Sequence, residues 1–150
     1  LSQYNDLPVI VASSTFGGSA ATANRCHNGA ALSSIGGSWR VYNSVLTHNH
    51  AIGVGANPAR SGTPGGGNGG AIALDGNRFT LDLIGSIVTD NTANEGGGAI
   101  FFVSNNRTGQ LRIAKSTLVR NLSRGFETQG LPGIFYLGSG NPEITASTLG

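Results

Sequence analysis

The sequence is poor in charge and in the residues that favour helices. Charged residues occupy 11% of its 150 positions, methionine is absent, and Lys115 is the single lysine. Glycine occurs 25 times and, together with abundant asparagine, serine and threonine, favours short strands joined by tight turns. Apolar residues still make up 38% of the chain, which is enough to form a buried core.

Other absences exclude classes of function. Nine basic and seven acidic residues are scattered without a run of lysine or arginine, so no nucleic acid or anionic membrane surface is a predicted partner. No apolar stretch approaches the roughly 18 residues that a membrane-spanning helix needs. Cys26 is the only cysteine and cannot form an internal disulfide, so we expect a small buried residue or else a free or intermolecular thiol.

A repeat runs along the chain. Its motif is serine, an aliphatic residue two positions later and asparagine five positions later, and it occurs without gaps at 43–49, 85–91 and 115–121. Partial copies lie at 13–17 and 146–150. The repeated serines stand at positions 14, 44, 86, 116 and 147, which gives intervals of 30, 42, 30 and 31 residues. A glycine-rich insertion at about 51–69 accounts for the long interval.

Apolar and polar residues alternate before each of these serines. The residues five and three positions upstream are Val9 and Val11, Trp39 and Val41, Leu81 and Leu83, Leu111 and Ile113, Pro142 and Ile144. The position between them is occupied by Ile10, Arg40, Asp82, Arg112 and Glu143. Period-two alternation predicts a half-buried strand. The alternating charge signs support stacking of the copies, because opposite charges on neighbouring strands attract.

A unit of this size cannot bury its own apolar face, so the copies must stack, with equivalent strands pairing in parallel about 4.8 Å apart. The sequence therefore predicts an all-β fold, a right-handed parallel β-helix of about four coils with three short strands per coil. We expect one domain over 1–150, with first-coil strands near 30–33, 39–42 and 45–47. Loops are expected at about 51–69 and about 122–132.

Two motifs resemble those of a known superfamily. Residues 69–72 and 97–100 both read Gly-Gly-Ala-Ile, and residues 46–49, 88–91 and 118–121 end in asparagine three positions after Leu or Val. These resemble the GGA(I/L/V) and FxxN repeats of polymorphic outer membrane proteins and, more broadly, the pectate-lyase-like right-handed β-helix superfamily. The resemblance implies a secreted or cell-surface bacterial protein. It implies no single activity, because that fold carries lyases, hydrolases, adhesins and tailspikes.

The residues just before the repeated asparagines form a second charged file of His48, Asp90 and Arg120. Stacking would place Asp90 between a histidine and an arginine, so the three are candidates for a catalytic or ligand-binding site with a carboxylate of lowered pKa. The alternative, favoured by the first charged file, is a structural ladder of opposite charges. The asparagines are predicted to stack as a structural ladder at a turn: Asn49, Asn91 and Asn121.

A third file is a candidate for ligand binding. The residues that follow the isoleucine of the Gly-Gly-Ala-Ile motif are Leu32, Ala73, Phe101 and Phe135, and alternation points them outward. Phe101 and Phe135 would then stack on the exterior, where aromatic rings can dock a sugar ring or a partner protein. The alternative is that the loop that contains Phe126 covers them.

Metal and cofactor sites are not predicted. The three histidines have no zinc-binding spacing. Calcium is the one cofactor that the resemblance allows, because polysaccharide lyases of this fold bind it through clustered acids, but the acids Asp75, Asp82, Asp90 and Glu95 fall on different parts of the coil. Residues 65–70 match GxGxxG, but a strand follows the match where a dinucleotide-binding loop needs a helix.

The pattern as a whole favours a secreted or cell-surface bacterial module that binds a glycan or protein ligand through loops on a rigid scaffold. A polysaccharide lyase or glycoside hydrolase is the first alternative, although no facing pair of carboxylates is evident. A subunit of a larger extracellular assembly is the second. Both ends stop within a repeat, so we expect further sequence or a partner chain to cap the open coils. The start at Leu1 without a signal-peptide pattern likewise suggests a piece of a longer chain.

Overall fold

A computed structural model of the chain describes residues 2–3, 7–55 and 65–150, the first two as backbone alone. Across these residues the strands form four sheets in which every pairing is parallel. The described part contains no α-helix, and its one 3₁₀ turn lies at Ala20–Thr22. None of its helical segments is long and apolar enough to cross a bilayer. The predicted stack of parallel strands is confirmed.

The chain visits the four sheets in a fixed order and adds one strand to each sheet per turn. Sheet 1 consists of Ser2–Gln3, Leu32–Ile35, Ile72–Gly76, Ile100–Ser104 and Ile134–Leu137. Sheet 2 consists of Val9–Ala12, Trp39–Tyr42, Thr80–Ile84, Gln110–Ala114 and Glu143–Thr145. Sheet 3 consists of Thr15–Gly17, Val45–Thr47, Ile87–Thr89, Thr117–Val119 and Thr148–Leu149. Sheet 4 consists of Asn24–Cys26, Asn49–Ala51, Thr92–Ala93 and Leu122–Ser123.

Sheet 4 corrects the expectation of three strands per coil. Its strands have only two or three residues and begin at or just after the repeated asparagine. Two or three residues are too few to show period-two alternation, so the sequence pattern could not reveal them. The middle of the predicted insertion at about 51–69, residues 56–64, lies outside the described residues.

The core is built from the predicted apolar files. Leu83 pairs with Val41 on one side and Ile113 on the other, and all three side chains are fully buried. Leu81 in the same way pairs with Trp39 and Leu111. Equivalent side chains therefore lie directly above one another, so the interior is a set of continuous apolar columns.

The corners on either side of sheet 3 each use one residue with a left-handed backbone followed by a polar residue that bonds across coils. Before the repeated serines, φ lies between 47° and 64° at Ser13, Asn43, Gly85, Lys115 and Ala146. Each of the serines 14, 44, 86 and 116 donates its backbone N–H to the hydroxyl of the serine in the next coil at 3.1 Å. These bonds hold the turn in a backbone conformation that residues other than glycine rarely adopt.

The asparagine ladder lies at the second corner and is confirmed. The Nδ2 atom of each member donates to Oδ1 of the next at 2.9 Å, along Asn24, Asn49, Asn91 and Asn121. Asn24 is a member that the sequence pattern missed. Asn24 lies ten positions after Ser14, whereas each of the other members lies five positions after its serine. The difference arises because the 3₁₀ turn is inserted between Ser14 and Asn24.

Leu32 corrects the predicted outward file. It pairs with Ile72, is only 4% exposed and belongs to the core. The residue that faces outward beside Ala73 is Ser33. The alignment of 29–31 with the later Gly-Ala-Ile segments is shifted by one position. Gly29, with φ of 56°, is structurally equivalent to Gly69, with φ of 67°, and not to Gly70.

The charged file on sheet 2 has the predicted register but forms two separate ion pairs. Arg40 Nε lies 3.6 Å from Asp82 Oδ2, and Arg112 Nε lies 3.5 Å from Glu143 Oε1. About half of each arginine side chain is exposed, so each pair stabilises the fold by about 0–1 kcal/mol.

Cys26 is an exposed free thiol on sheet 4, which corrects the expectation of a small buried residue. It belongs to Asn24–Cys26, which pairs with Asn49–Ala51 and forms one edge of the described sheet. No strand among the described residues pairs with its other side, and the segment is exposed along its length.

Candidate ligand-binding surface

The outer face of sheet 1 has a step in side-chain size. One outward file runs in register through Ser33, Ala73, Phe101 and Phe135. The first two side chains are small and the last two are large. The ring of Phe101 therefore stands as a wall beside the low surface formed by Ser33 and Ala73.

A depression of about 220 Å³ lies at this step. Beside the apolar residues, its lining contains hydrogen-bonding side chains from two turns and from sheet 1: Asn28, Ser33, Asn68 and Asp75. The depression is smaller than the roughly 300–1,000 Å³ of pockets that hold drug-sized ligands. Its size and lining suit a single small ring with polar substituents.

Hydrogen bonds hold the polar rim in place. Asn28 Oδ1 accepts the backbone N–H of Asn68 at 3.0 Å. The Nδ2 atom of Asn28 has no partner in the described part of the chain. Asn68 is buried; its Oδ1 accepts from the backbone of Gly96, and its Nδ2 donates to Glu95. Asp75 Oδ1 accepts from Asn105 Nδ2 at 3.0 Å. The rim is therefore largely preorganised.

Two further phenylalanines, Phe135 and Phe126, continue the surface beyond the wall. The rings of Phe101 and Phe135 are stacked with centroids 5.3 Å apart. Phe126 meets Phe135 edge to face at 4.8 Å and Phe101 at 6.5 Å. Phe101 is only 8% exposed, whereas Phe126 is 42% exposed. The loop thus covers much of Phe101, as the alternative expected, while its own ring presents a new aromatic surface.

Phe126 reaches this position because Gly96 has no side chain. The two residues form a parallel β-bridge, and a Cβ atom at Gly96 would overlap the Phe126 ring. The first glycine of the segment 96–98 therefore allows an aromatic ring to pack directly on the backbone.

His48, Asp90 and Arg120 lie at the corner between sheets 3 and 4, each with φ near 55°. Arg120 donates from Nε to Asp90 Oδ1 and from Nη2 to Asp90 Oδ2, both at 2.8 Å. The Thr89 hydroxyl also donates to Asp90 Oδ2. These bonds, that of Arg120 above all, lower the pKa of Asp90 to about 2.

This geometry favours the structural alternative for the charged file. A bidentate guanidinium occupies both Asp90 oxygens, so the carboxylate has little basicity to offer a substrate. His48 Nδ1 lies 2.8 Å from the hydroxyl of its neighbour Thr47, and its effect on Asp90 is the smallest of those that shift the pKa. The file therefore resembles a clamp across two turns of the solenoid.

Replacing Arg120 by glutamine should raise the pKa of Asp90 from about 2 towards its ordinary value of 3.8, because the largest stabilisation of the carboxylate is lost. The folded-state pKa is depressed, so the wild-type protein has this stabilisation above about pH 4 and loses it as the pH falls through about 2. Between about pH 4 and about pH 2, the variant should therefore lose less folding stability than the wild type. Carbon-13 NMR titration of the carboxyl group measures the shift. Arg112→Gln is the control, and an equal shift in both variants would contradict the clamp.

A second groove, of about 420 Å³, lies over sheet 2. It is lined by the two ion pairs Arg40–Asp82 and Arg112–Glu143. Its one aromatic residue, Tyr136, is 9% exposed and donates its hydroxyl to the carbonyl of Ser139. This groove is therefore lined mainly by charged and polar groups, and the hydroxyl of its tyrosine already has a partner.

Sequence reasoning missed Asn28, Ser33 and Asn68 in the lining of the sheet 1 depression. A usable signal was the dipeptide Asn-Gly at 28–29 and again at 68–69, which places the two amides at equivalent turns. In the described part of the chain, no three His, Cys, Asp or Glu side chains cluster as a metal site would require. Comparisons of this chain with protein-family models, with curated proteins and with solved structures find no match.

Proposed function

We propose that this chain is a glycan-binding module built on a right-handed parallel β-helix, and that the depression beside Phe101 holds one sugar ring. One observation carries the proposal: an aromatic wall stands directly beside a small depression with amide, hydroxyl and carboxylate groups on its rim. The apolar face of a sugar ring packs against an aromatic side chain, while its hydroxyls need donors and acceptors around the edge. The rim supplies both kinds of group.

The scaffold supports this role by its rigidity. Strands that pair on both sides hold Ala73 and Phe101, so little side-chain or backbone freedom is lost when a ligand binds. The exposed ring of Phe126 extends the apolar surface past Phe135. A second ring of the same glycan would pack there.

The wider setting is part of the same proposal. Right-handed winding follows from the strong preference of parallel crossover connections for that hand. A secreted or cell-surface bacterial location, and membership of the pectate-lyase-like superfamily, are supported by the Gly-Gly-Ala-Ile and asparagine repeats. A glycan is favoured over a protein ligand because the rim offers several hydrogen-bonding groups around the space for one ring, as the hydroxyls of a sugar require.

Substituting Ala73 by leucine should weaken glycan binding about tenfold or more, because the larger side chain fills the depression while the aromatic packing is left in place. A glycan array identifies the ligand, and calorimetric titration of that ligand measures the loss. Thr117→Leu, at an outward position on sheet 3, is the matched control and should bind normally. Equal affinity of the two variants would rule out the depression as the site.

The same ligand distinguishes binding from cleavage. Under the proposal the protein forms neither reducing ends nor unsaturated products, and Asp90→Asn binds as the wild type does. Product formation that Asp90→Asn abolishes would instead establish the lyase or hydrolase alternative.

A further inference from the structure

The outer face of sheet 4 has a groove of about 240 Å³ that the glycan proposal does not use. One outward file on this sheet runs through Arg25, His50 and Thr92 in register. Just beyond these strands, Asn94 and Arg124 complete the lining. The groove therefore brings two guanidinium groups and an imidazole together around a threonine hydroxyl.

No carboxylate neutralises this cluster within the described part of the chain. The three ion pairs found there use Arg40, Arg112 and Arg120, and neither Arg25 nor Arg124 belongs to one. The two glutamates closest in sequence to Asn94 and Arg124 do not line the groove: Glu95 accepts from Asn68, and Glu127 accepts from the backbone of Gly133.

His50 reports the resulting positive field. Burial first, and then the charges of Arg25, His48 and Arg124, lower its pKa. All three of these charge effects have the sign that a neighbouring positive charge produces. Like charges at these separations repel one another, and a concave surface concentrates their field.

We propose that this groove binds an oxyanion, that is, a sulfate, phosphate or carboxylate group. Guanidinium groups pair with such oxyanions through two parallel hydrogen bonds. Arg25 and Arg124 line the groove from different turns of the solenoid, and His50 and Thr92 supply further donors between them. The Asn94 amide is held by the carbonyls of Ile52 and Gly53 at 3.1 and 3.3 Å, which keeps this side of the groove fixed.

Anion binding at this groove has a definite dependence on pH. A bound oxyanion offsets the cations around His50, so it raises the pKa of that imidazole, and binding takes up a proton. The affinity for sulfate, whose own charge is constant over this range, should therefore be higher at about pH 5.5 than at about pH 7.5. It should also fall with rising ionic strength, because the groove is open to solvent.

The test is an NMR titration of the His50 imidazole with inorganic sulfate, inorganic phosphate and acetate at constant ionic strength. We expect saturable shifts of the His50 signals and an upward shift of its pKa. Arg25→Gln and Arg124→Gln should each weaken binding about tenfold. Arg78→Gln, which removes the same charge from an exposed turn outside the groove, is the matched control and should bind as the wild type does.

Two results of the small-anion titration would overturn the proposal. One is the absence of a saturable His50 shift at millimolar anion. The other is equal weakening by Arg78→Gln, since that would reflect the net charge of the protein alone. A parallel titration with sulfated and with carboxylated dextran distinguishes a group carried on a polymer from a free ion. Saturation by the polymers without saturation by any of the small anions would also contradict a discrete site.

The site is independent of the glycan proposal. It lies on sheet 4, uses no residue of the sheet 1 depression, and its test follows the NMR signals of His50. Sugar binding that Ala73→Leu leaves unchanged, together with a saturable His50 titration, would contradict the glycan proposal alone. Sugar binding that Ala73→Leu weakens, without a saturable His50 shift, would contradict the oxyanion proposal alone.

Discussion

Asn91→Ala is expected to lower the free energy of unfolding by about 3–5 kcal/mol, because several buried polar groups lose their partners at once. Asn91 is fully buried. Its Oδ1 accepts from both the backbone N–H and the Nδ2 of Asn49, and its Nδ2 donates to the Leu46 carbonyl and to Asn121 Oδ1. An alanine side chain can replace none of these bonds. Urea unfolding followed by circular dichroism measures the loss.

Two comparisons make this result specific to the ladder. Asn77→Ala removes an exposed amide and should change stability by no more than about 0.5 kcal/mol. The loss of unfolding free energy in Asn121→Ala should lie between those of Asn91→Ala and Asn77→Ala, since Asn121 is partly exposed and ends the described ladder. A loss at Asn91 no larger than that at Asn77 would mean that the ladder contributes little to stability.

Leu83→Ala is expected to cost about 2–5 kcal/mol, because it opens a cavity in the middle of an apolar file. Leu83 is fully buried between Val41 and Ile113, which are themselves held by paired strands. Such neighbours cannot move along the file to fill the space without losing their own register. The cavity should therefore persist, and the cost should lie in the upper part of that range.

The control for this substitution is an outward-facing aliphatic residue on the next strand of the chain. Ile87 lies in sheet 3 and is 46% exposed, so Ile87→Ala should cost no more than about 0.5 kcal/mol. The same chemical unfolding experiment measures both variants. Similar losses at the two positions would contradict the inward and outward assignment on which the stacked fold depends.

Much of the fold could be predicted because its units repeat. Val41, Leu83 and Ile113 were placed in one file by counting back from a serine, and the strand pairing places them side by side. Where the local sequence is degenerate, counting failed. The run Gly29-Ala30-Ala31 can be aligned with the later copies in two ways, and only the backbone pairing of Leu32 with Ile72 decides between them.

The candidate surface was predictable only in part. Phe101 and Phe135 follow a repeated motif, so their stacking on the outer face could be expected. The depression beside them depends on Ser33, which the shifted alignment hid, and on Asn28 and Asn68, which come from turns outside the strands. The cover by Phe126 depends on the path of a loop that no repeat describes.

The order of residues alone determined the all-β class, the parallel stacking and the asparagine ladder, since each is a property that recurs along the repeat. Tertiary structure alone decided the fourth sheet, the depression beside Phe101 and the convergence of Arg25, His50 and Arg124. These features bring together residues from turns of different length. Periodicity describes what each turn shares with the next, whereas a site arises where neighbouring turns differ.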